Sequence, residues 1–352
     1  MKLLIITQKI DKNDPVLGFF HNWVLKLSEK FEKINVICLG KGEYDLPDNV
    51  SVHSLGKQNI VTRNSYIVTR LKYIWKFYKY IWHLRGEYDA VFVHMNQEYV
   101  VLGWKFWKLL GKKIFLWRNH PKGNFFTDIA ALVSEKVFYT SPKSYTAKFK
   151  NSVLMPVGID TDLFTLESRI QNLESRKAKI LSLGRISPIK NIDKIVDAAI
   201  LLDSRNVDFV LDIVGDPINP EDVEYLESLK KKAENLITKN KVNFLRAVSQ
   251  EKVVELYQTH EIFVNLTPSG SMDKTILEAM SCGSLPVVSN EYYKDMKPVI
   301  FTGISSQDVA QNLDVILTKE PNTETASLRQ YVVENHGLNA LIGKLVKEIK
   351  NV

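Results

Sequence analysis

Two short segments carry the residues best suited to act on a ligand. In the first, Leu181-Ser182-Leu183-Gly184-Arg185-Ile186-Ser187-Pro188-Ile189-Lys190, an apolar strand runs out into Gly184-Arg185 and a lysine follows five residues after the arginine. The second runs from Thr267 to Asn290. A loop containing Gly270 and Ser271 leads into a short helix with Lys274, Thr275 and Glu278 near its start, and Cys282-Gly283 ends it. The first turn of a helix leaves backbone N–H groups without intrahelical partners, so it is a ready site for an anion. Arginine can grip two phosphate oxygens in a fork, and lysine adds a point charge. Two cations beside a helix N-terminus make a pocket for a diphosphate. Glu278 lies about one turn into the helix, within reach of anything bound at its start. An Arg and a Lys five apart are common on protein surfaces; the Thr267–Asn290 segment is what gives this pair a ligand.

Such residues must be held at the ends of strands. Lys2–Thr7, Asn35–Leu39, Asp89–Val93, Lys113–Trp117 and Val137–Thr140 read as strands, with a helix over Gly18–Lys30. A second series follows: strands at Ile180–Leu183, Phe209–Val214, Val242–Leu245, Ile262–Asn265 and Leu285–Ser289. Helices are expected over Ile192–Leu202, Asp222–Leu236, Gln250–Tyr257, Thr275–Cys282 and Asn339–Ile349. This alternation predicts two doubly wound α/β domains with parallel sheets. Ligands in such sheets sit beyond the carboxyl ends of the strands. That makes the loops after Thr7, Val93, Trp117 and Thr140 candidate walls, with Gly18, His21, His94 and His120 on or near them.

The two segments of the opening resemble the family 4 glycosyltransferases, retaining enzymes of the GT-B fold that use nucleotide-sugar donors. The resemblance is strong from Lys179 to Asn290 and one of layout in the N-terminal half. It implies two Rossmann-like domains facing a central cleft: an acceptor-side domain over 1–165, a nucleotide-sugar domain over 166–338, and a helix over 339–352 packing back on the first. It gives Arg185 and Lys190 the diphosphate. Negative charge grows there as the sugar leaves, so fixed cations stabilise the transition state more than the ground state. Glu278 matches the second glutamate of the family's E-x7-E motif, which binds the ribose hydroxyls. His120 falls where the family has a cleft histidine near the donor sugar. Gly18 falls where a Gly-Gly turn is usual. Asp160-Thr161-Asp162 looks like a metal-binding D-x-D, but it follows Pro156-Val157-Gly158 and precedes Leu163-Phe164, the pattern of the interdomain segment. No cofactor and no catalytic metal are expected.

The departure is Gly270, which stands where the motif has its first glutamate. Three readings are open. Asp273 supplies the carboxylate from a reshaped loop; backbone N–H groups and Lys274 take over; or the site only binds. Thr275 is placed to cap the helix. Val242–Ser249 resembles the strand and loop beneath the base, with Ala247 in place of the usual glycine, and leaves UDP and GDP both open.

The 352 residues suit two domains, and 45% apolar with 25% charged residues is ordinary for a globular protein. Cys38 and Cys282 give neither a disulfide framework nor metal-ligand spacing. Leu3–Ile6 before Gln8 is of strand length, and no apolar run approaches a membrane span, so a cytoplasmic protein is expected. Residues 1–165 hold 24 Lys and Arg against 14 Asp and Glu; the remainder holds 23 against 26. A basic half implies an anionic partner. Arg70–Arg85, RLKYIWKFYKYIWHLR, places Lys72, Lys76, Lys79 and His83 on one stripe among aromatic side chains. Trp104-Lys105-Phe106-Trp107-Lys108 with Lys112 and Lys113 echoes it. Lys with Trp and Tyr is the composition of a membrane–water interface, and a core helix with one solvated edge is the other reading. The donor-site residues argue against nucleic acid. The expected activity is retaining transfer of a sugar from a UDP- or GDP-sugar to a hydroxyl of a glycan or lipid-linked acceptor, in cell-envelope polysaccharide or glycolipid synthesis, on the inner face of a membrane. Rival expectations are a GT-B sugar-nucleotide epimerase, a protein that binds nucleotide sugar without turnover, and a peripheral membrane scaffold.

Overall fold

The computed structural model describes residues 1–14, 17–57, 66–166, 178–270, 272–318 and 325–351. The chain forms two compact units, Met1–Pro156 with Leu338–Val352, and Val157–Gly337.

The first unit holds strands β1 (Lys2–Ile10), β2 (Lys33–Lys41), β3 (Val50–Ser54), β4 (Ala90–His94), β5 (Lys113–Trp117), β6 (Lys136–Tyr139) and β7 (Ser152–Leu154). Its helices are α1 (Gly18–Ser28), α2 (Tyr66–His83), α3 (Gln97–Leu109) and α4 (Phe125–Val133), with the C-terminal α12 (Leu338–Lys350). The strands form one parallel sheet in the order β3-β2-β1-β4-β5-β6-β7. Strands such as Ala90–His94 are buried on both faces, which is why they read as unbroken apolar runs. One face is covered by α1 and α12, through Phe20, Trp23, Leu341 and Leu345. The other is covered by α2, α3 and α4, through Phe77, Ile81, Trp107 and Ala130. Buried positions 338, 341, 342, 345 and 349 recur at helical spacing, so α12 has one continuous apolar face. Strand β1 runs three residues past the expected Thr7, because Lys9 and Ile10 stay in register with Gly40 and Lys41 of β2.

The second unit holds β8 (Ala178–Leu183), β9 (Phe209–Val214), β10 (Val242–Leu245), β11 (Ile262–Asn265), β12 (Leu285–Val288) and β13 (Ile300–Phe301). Its helices are α5 (Ile192–Ser204), α6 (Pro220–Lys232), α7 (Glu234–Thr238), α8 (Gln250–Thr259), α9 (Lys274–Ser281), α10 (Ser306–Thr318) and α11 (Thr325–His336). The parallel order is β10-β9-β8-β11-β12-β13. Helices α5 and α10 lie on one face, through Ile195, Val196 and Val309. Helices α8, α9 and α11 lie on the other, through Tyr257, Ile276, Met280 and Val332. The single helix expected over Asp222–Leu236 is two. It starts at Pro220, capped by the Asn219 side chain on the Asp222 N–H at 2.8 Å, and breaks at Ala233.

In this sheet the strand order reverses between β8 and β11. Their carboxyl ends diverge there and leave the crevice in which such sheets bind ligands. Gly184–Lys190 follows β8, and Leu266–Asp273 follows β11.

Candidate active site at a strand-order switch point

The two loops are knotted together by polar side chains. Asn265, the last residue of β11, is buried and reaches in two directions. Its amide N–H groups donate to Asp273 Oδ2 and to Thr275 Oγ1, each at 3.1 Å, and its Oδ1 accepts from the Thr267 N–H at 2.9 Å. Asn191 ends the short turn after β8 in the left-handed region, at φ 52°, which Asn tolerates better than most residues. Its side chain donates to Leu266 O at 2.8 Å.

Lys190 projects into this knot. Its Nζ lies 2.8 Å from Asp273 Oδ2 and donates to Thr267 Oγ1 at 3.1 Å. The Thr267 hydroxyl in turn donates to Asp273 Oδ2 at 3.1 Å. Asp273 also caps α9: its Oδ1 accepts from the Thr275 N–H at 3.2 Å and the Thr275 hydroxyl at 2.8 Å. The cap is therefore Asp273, one residue before the helix, and not Thr275, which sits in the first turn and donates to it. Burial alone would raise the Asp273 carboxyl. The Lys190 charge and the hydrogen bonds from Lys190, Asn265 and Thr275 outweigh it and hold the group below the ordinary carboxylate range. With five donors on two oxygens, Asp273 is arranged to orient other groups.

Gly184, Arg185, Lys190, Asn265 and Thr267 line one small depression. Arg185 is exposed, its Nε 3.3 Å from Ser187 Oγ. Gly184 has φ +144° and Gly215, at the end of β9, has φ +154°. A Cβ on Gly215 would fall 1.9 Å from Gly184 O, so the two strand ends meet only because Gly215 has no side chain. Beside the depression lies a pocket of about 390 Å³ lined by Ile186, Ile213, Pro217, Phe244, Leu245 and the Asp216–Arg246 ion pair among others. It sits at the carboxyl ends of β8, β9 and β10.

Glu278 stands one turn into α9, four residues after Lys274. The buried Tyr257 hydroxyl donates to its Oε2 at 3.4 Å. Burial pushes the Glu278 carboxyl upward, against the pull of the Lys274 charge and the Tyr257 hydrogen bond. Burial pushes the Lys274 ammonium downward, against the charge of Glu278. The far end of α9 is pinned by Arg329, whose guanidinium donates to Ser281 O at 3.0 Å and to Thr161 O at 2.9 Å. Asp160 accepts from the Leu163 N–H in that same segment, while Phe164 packs near Tyr257. Among the described residues, no three His, Cys, Asp or Glu side chains gather where they could hold a metal ion.

The second unit thus gathers Gly184, Arg185, Lys190, Gly270, Asp273, Lys274, Thr275 and Glu278 on the loops and the helix at its switch point. Ser271 lies outside the described residues. A Cβ on Gly270 would meet nothing within 4 Å, so neither space nor backbone requires glycine there.

His120 and Gly18 belong to the first unit. His120 is exposed and turned back on its own loop, its Nδ1 3.0 Å from the Lys122 N and 2.9 Å from the Lys122 O. Gly18 opens α1, where a Cβ would sit 3.0 Å from Lys12 O. His94 is buried, stacked on Phe20 at 4.0 Å, with Nδ1 3.2 Å from Thr7 Oγ1, and His21 accepts from the Asp45 N–H at 3.1 Å. Both are held by the fold.

Asn265, Thr267, Asn191, Tyr257 and Arg329 escaped the sequence reading. Asn265 had a signal, since a polar residue closes the otherwise apolar strand Ile262–Asn265 at the end where ligands bind. The others depend on contacts far apart in sequence.

Residues 164–301 match the family described as glycosyl transferases group 1. Mannosylfructose-phosphate synthase of Agrobacterium fabrum is 25% identical over 155 residues, 42% of this chain and 34% of that one. Alpha-monoglucosyldiacylglycerol synthase of Streptococcus pneumoniae is 27% identical over 214 residues, 55% of this chain and 46% of that one. The chain thus spans less than half the length of these curated relatives. A crystal structure of Anabaena Alr3699/HepE in complex with UDP and glucose superposes with a TM-score of 0.73 at 16% identity, over 100% of both chains. At that identity the likeness speaks for the fold alone. The fold class is GT-B, with two doubly wound parallel α/β units.

Proposed function

We propose that the protein is a retaining glycosyltransferase of the family 4 type, which moves a sugar from a UDP- or GDP-sugar to a hydroxyl of a glycan or lipid-linked acceptor. The observation that carries this reading is Lys190, held by Asp273 and Thr267 on the depression that Arg185 also lines. In this reading the two cations meet the diphosphate, and Asp273 positions Lys190 rather than reacting. The adjoining pocket of Ile186, Ile213, Phe244 and Leu245 takes the flat face of the base. Glu278, with Tyr257 donating to it, accepts the ribose hydroxyls. In the same reading Gly18 admits substrate close to the backbone and His120 serves the donor sugar, as the family resemblance implies.

The acceptor oxygen forms a bond to the anomeric carbon as the bond from that carbon to the diphosphate oxygen breaks. The hydroxyl proton passes to the departing diphosphate, whose growing charge Arg185 and Lys190 neutralise. No metal is needed in this scheme, because the two cations supply the charge. The place of action would be the cytoplasmic face of a membrane carrying cell-envelope glycans or glycolipids.

A second reading, a protein that binds nucleotide sugar without transferring it, is favoured by one observation. Gly270 has room for a side chain and lacks the motif's first glutamate. NMR of UDP, GDP and their common sugars, followed over hours with and without lipid extract, separates the two. Binding with slow donor loss and a new glycoside supports transfer. Binding without any chemistry supports the second reading, and no binding removes both.

A further inference from the structure

Helix α2 is apolar on two sides. Phe77 and Ile81 point into the core. Leu71, Trp75, Tyr78 and Trp82, at spacings of four, three and four, are 60%, 63%, 41% and 58% exposed. That spacing puts them on one outward stripe. The stripe continues onto α3. Trp82 packs against Phe106 with ring centroids 5.7 Å apart, the Tyr78 hydroxyl donates to Leu102 O at 2.8 Å, and Leu109 beyond them is 85% exposed. Large apolar side chains scattered singly over a surface call for no explanation; a contiguous strip along one helix–helix seam marks an interaction site.

The cations are arranged around the rings. The Lys79 ammonium lies 5.5 Å from the Trp75 ring centre, the Arg85 guanidinium 4.7 Å from Trp82, and the Lys105 ammonium 5.6 Å from Trp104. Lys72 is exposed beside them. From Asp48 to Glu87 the chain has no intervening Asp or Glu, while seven Lys and Arg fall in that interval. The first unit as a whole holds 27 Lys and Arg against 13 Asp and Glu. Part of the expected basic pattern turns inward instead. Trp107 is fully buried, the Lys112 ammonium donates to Tyr88 O at 2.6 Å, and Lys76 donates to Leu55 O at 3.1 Å.

We propose that the α2–α3 seam docks on the surface of an anionic lipid bilayer. Leu71, Trp75, Tyr78, Trp82 and Leu109 would enter the interfacial layer, and Lys72, Lys79, Arg85 and Lys105 would meet lipid phosphates. Long basic side chains can keep their charge at headgroup level while their stems lie along apolar surface, and Trp and Tyr favour that depth. The charge selects this occupant. A strip ringed by cations, on a helix without a single carboxylate, repels a second copy of itself and complements a surface of fixed negative charge. No helix among the described residues is long and apolar enough to cross a membrane, so the contact would be with one leaflet. The proposal stands apart from the sugar-transfer reading, because it concerns the first unit and needs no nucleotide.

The test is flotation of the full chain with phosphatidylcholine vesicles, with and without phosphatidylglycerol, alongside the Trp75→Ser/Trp82→Ser and Lys79→Ser/Arg85→Ser variants. All four side chains are exposed, and an unchanged circular dichroism spectrum and thermal melt would show that the fold is kept. We expect the intact chain to float with the anionic vesicles and the tryptophan variant to lose roughly tenfold or more in partitioning. The charge variant should lose its preference for phosphatidylglycerol and its sensitivity to salt. The proposal is overturned if the intact chain stays in solution with anionic vesicles at low salt, or if the tryptophan variant floats equally well. It is also overturned if the seam instead mediates self-association, seen as a concentration-dependent dimer that those substitutions abolish while vesicles remain unbound.

Discussion

In the proposed site Lys190 and Glu278 would do different work, and that difference can be measured. A charge-assisted hydrogen bond contributes about 1.5–3 kcal/mol, so Lys190→Ala should weaken UDP or GDP binding roughly 10- to 150-fold. The nucleosides, which lack the diphosphate, should bind unchanged; calorimetric titration of both ligand sets checks this. Glu278 should govern the pH dependence. Burial raises its carboxyl in the folded protein, so the folded state holds a proton there that the unfolded state has already released. The stability this group contributes is therefore present at acid pH and is lost as pH rises through the raised folded value. In the proposed site nucleotide binding should run the other way, because only an ionised carboxylate can accept from both ribose hydroxyls. Affinity for the nucleotide should fall as pH drops from about 8 to about 5, through Glu278 together with the protonation of the diphosphate itself, which titrates at about pH 6. Glu278→Gln should flatten the nucleotide profile, and titrations across that range would show it.

Helix α9 depends on one residue at its start. Asp273 accepts from Thr275 twice and from Lys190, Asn265 and Thr267. The pair is part-buried; losing a helix cap costs about 0.5–2 kcal/mol and a charge-assisted hydrogen bond about 1.5–3 kcal/mol, so Asp273→Ala should destabilise the second unit by about 2–5 kcal/mol. Asp273→Asn keeps an oxygen to cap the helix and should cost clearly less in stability, yet it should still impair diphosphate binding by releasing Lys190. Chemical denaturation and titration of both variants separate capping from positioning. The sequence shows the helix, its loop and the two cations, because strand ends, small residues and charge are local signals. It does not show that Asp273 faces Lys190, since that pairing spans two loops and follows from the reversal of strand order between β8 and β11. The same limit explains the short edge strands. Val50–Ser54 is only half-buried and Ser152–Leu154 has three residues, so neither carries the apolar run that marks a buried strand. Nor does local pattern alone reveal which aromatic rings of Arg70–Lys113 turn inward. Phe77 and Trp107 do, while Trp75 and Trp82 do not.

Across the whole molecule, charge and chain path divide differently from the order of the sequence. With α12 counted in it, the first unit holds 27 Lys and Arg against 13 Asp and Glu, and the second holds 20 against 27. The last fifteen residues complete the first unit, because Leu338, Leu341, Ile342, Leu345 and Ile349 belong to its core. Leu341→Ala should therefore cost about 2–5 kcal/mol in the first unit. Nucleotide binding by the second unit should be unaffected, as a thermal melt with and without ligand would show. The direct test of the account is a calorimetric titration of UDP and GDP into the intact chain and into the Arg185→Ala/Lys190→Ala variant. Saturable binding of at least one nucleotide to the intact chain, and its loss in the variant, are expected. Failure of both nucleotides to bind, or equal binding to the variant, would contradict this reading.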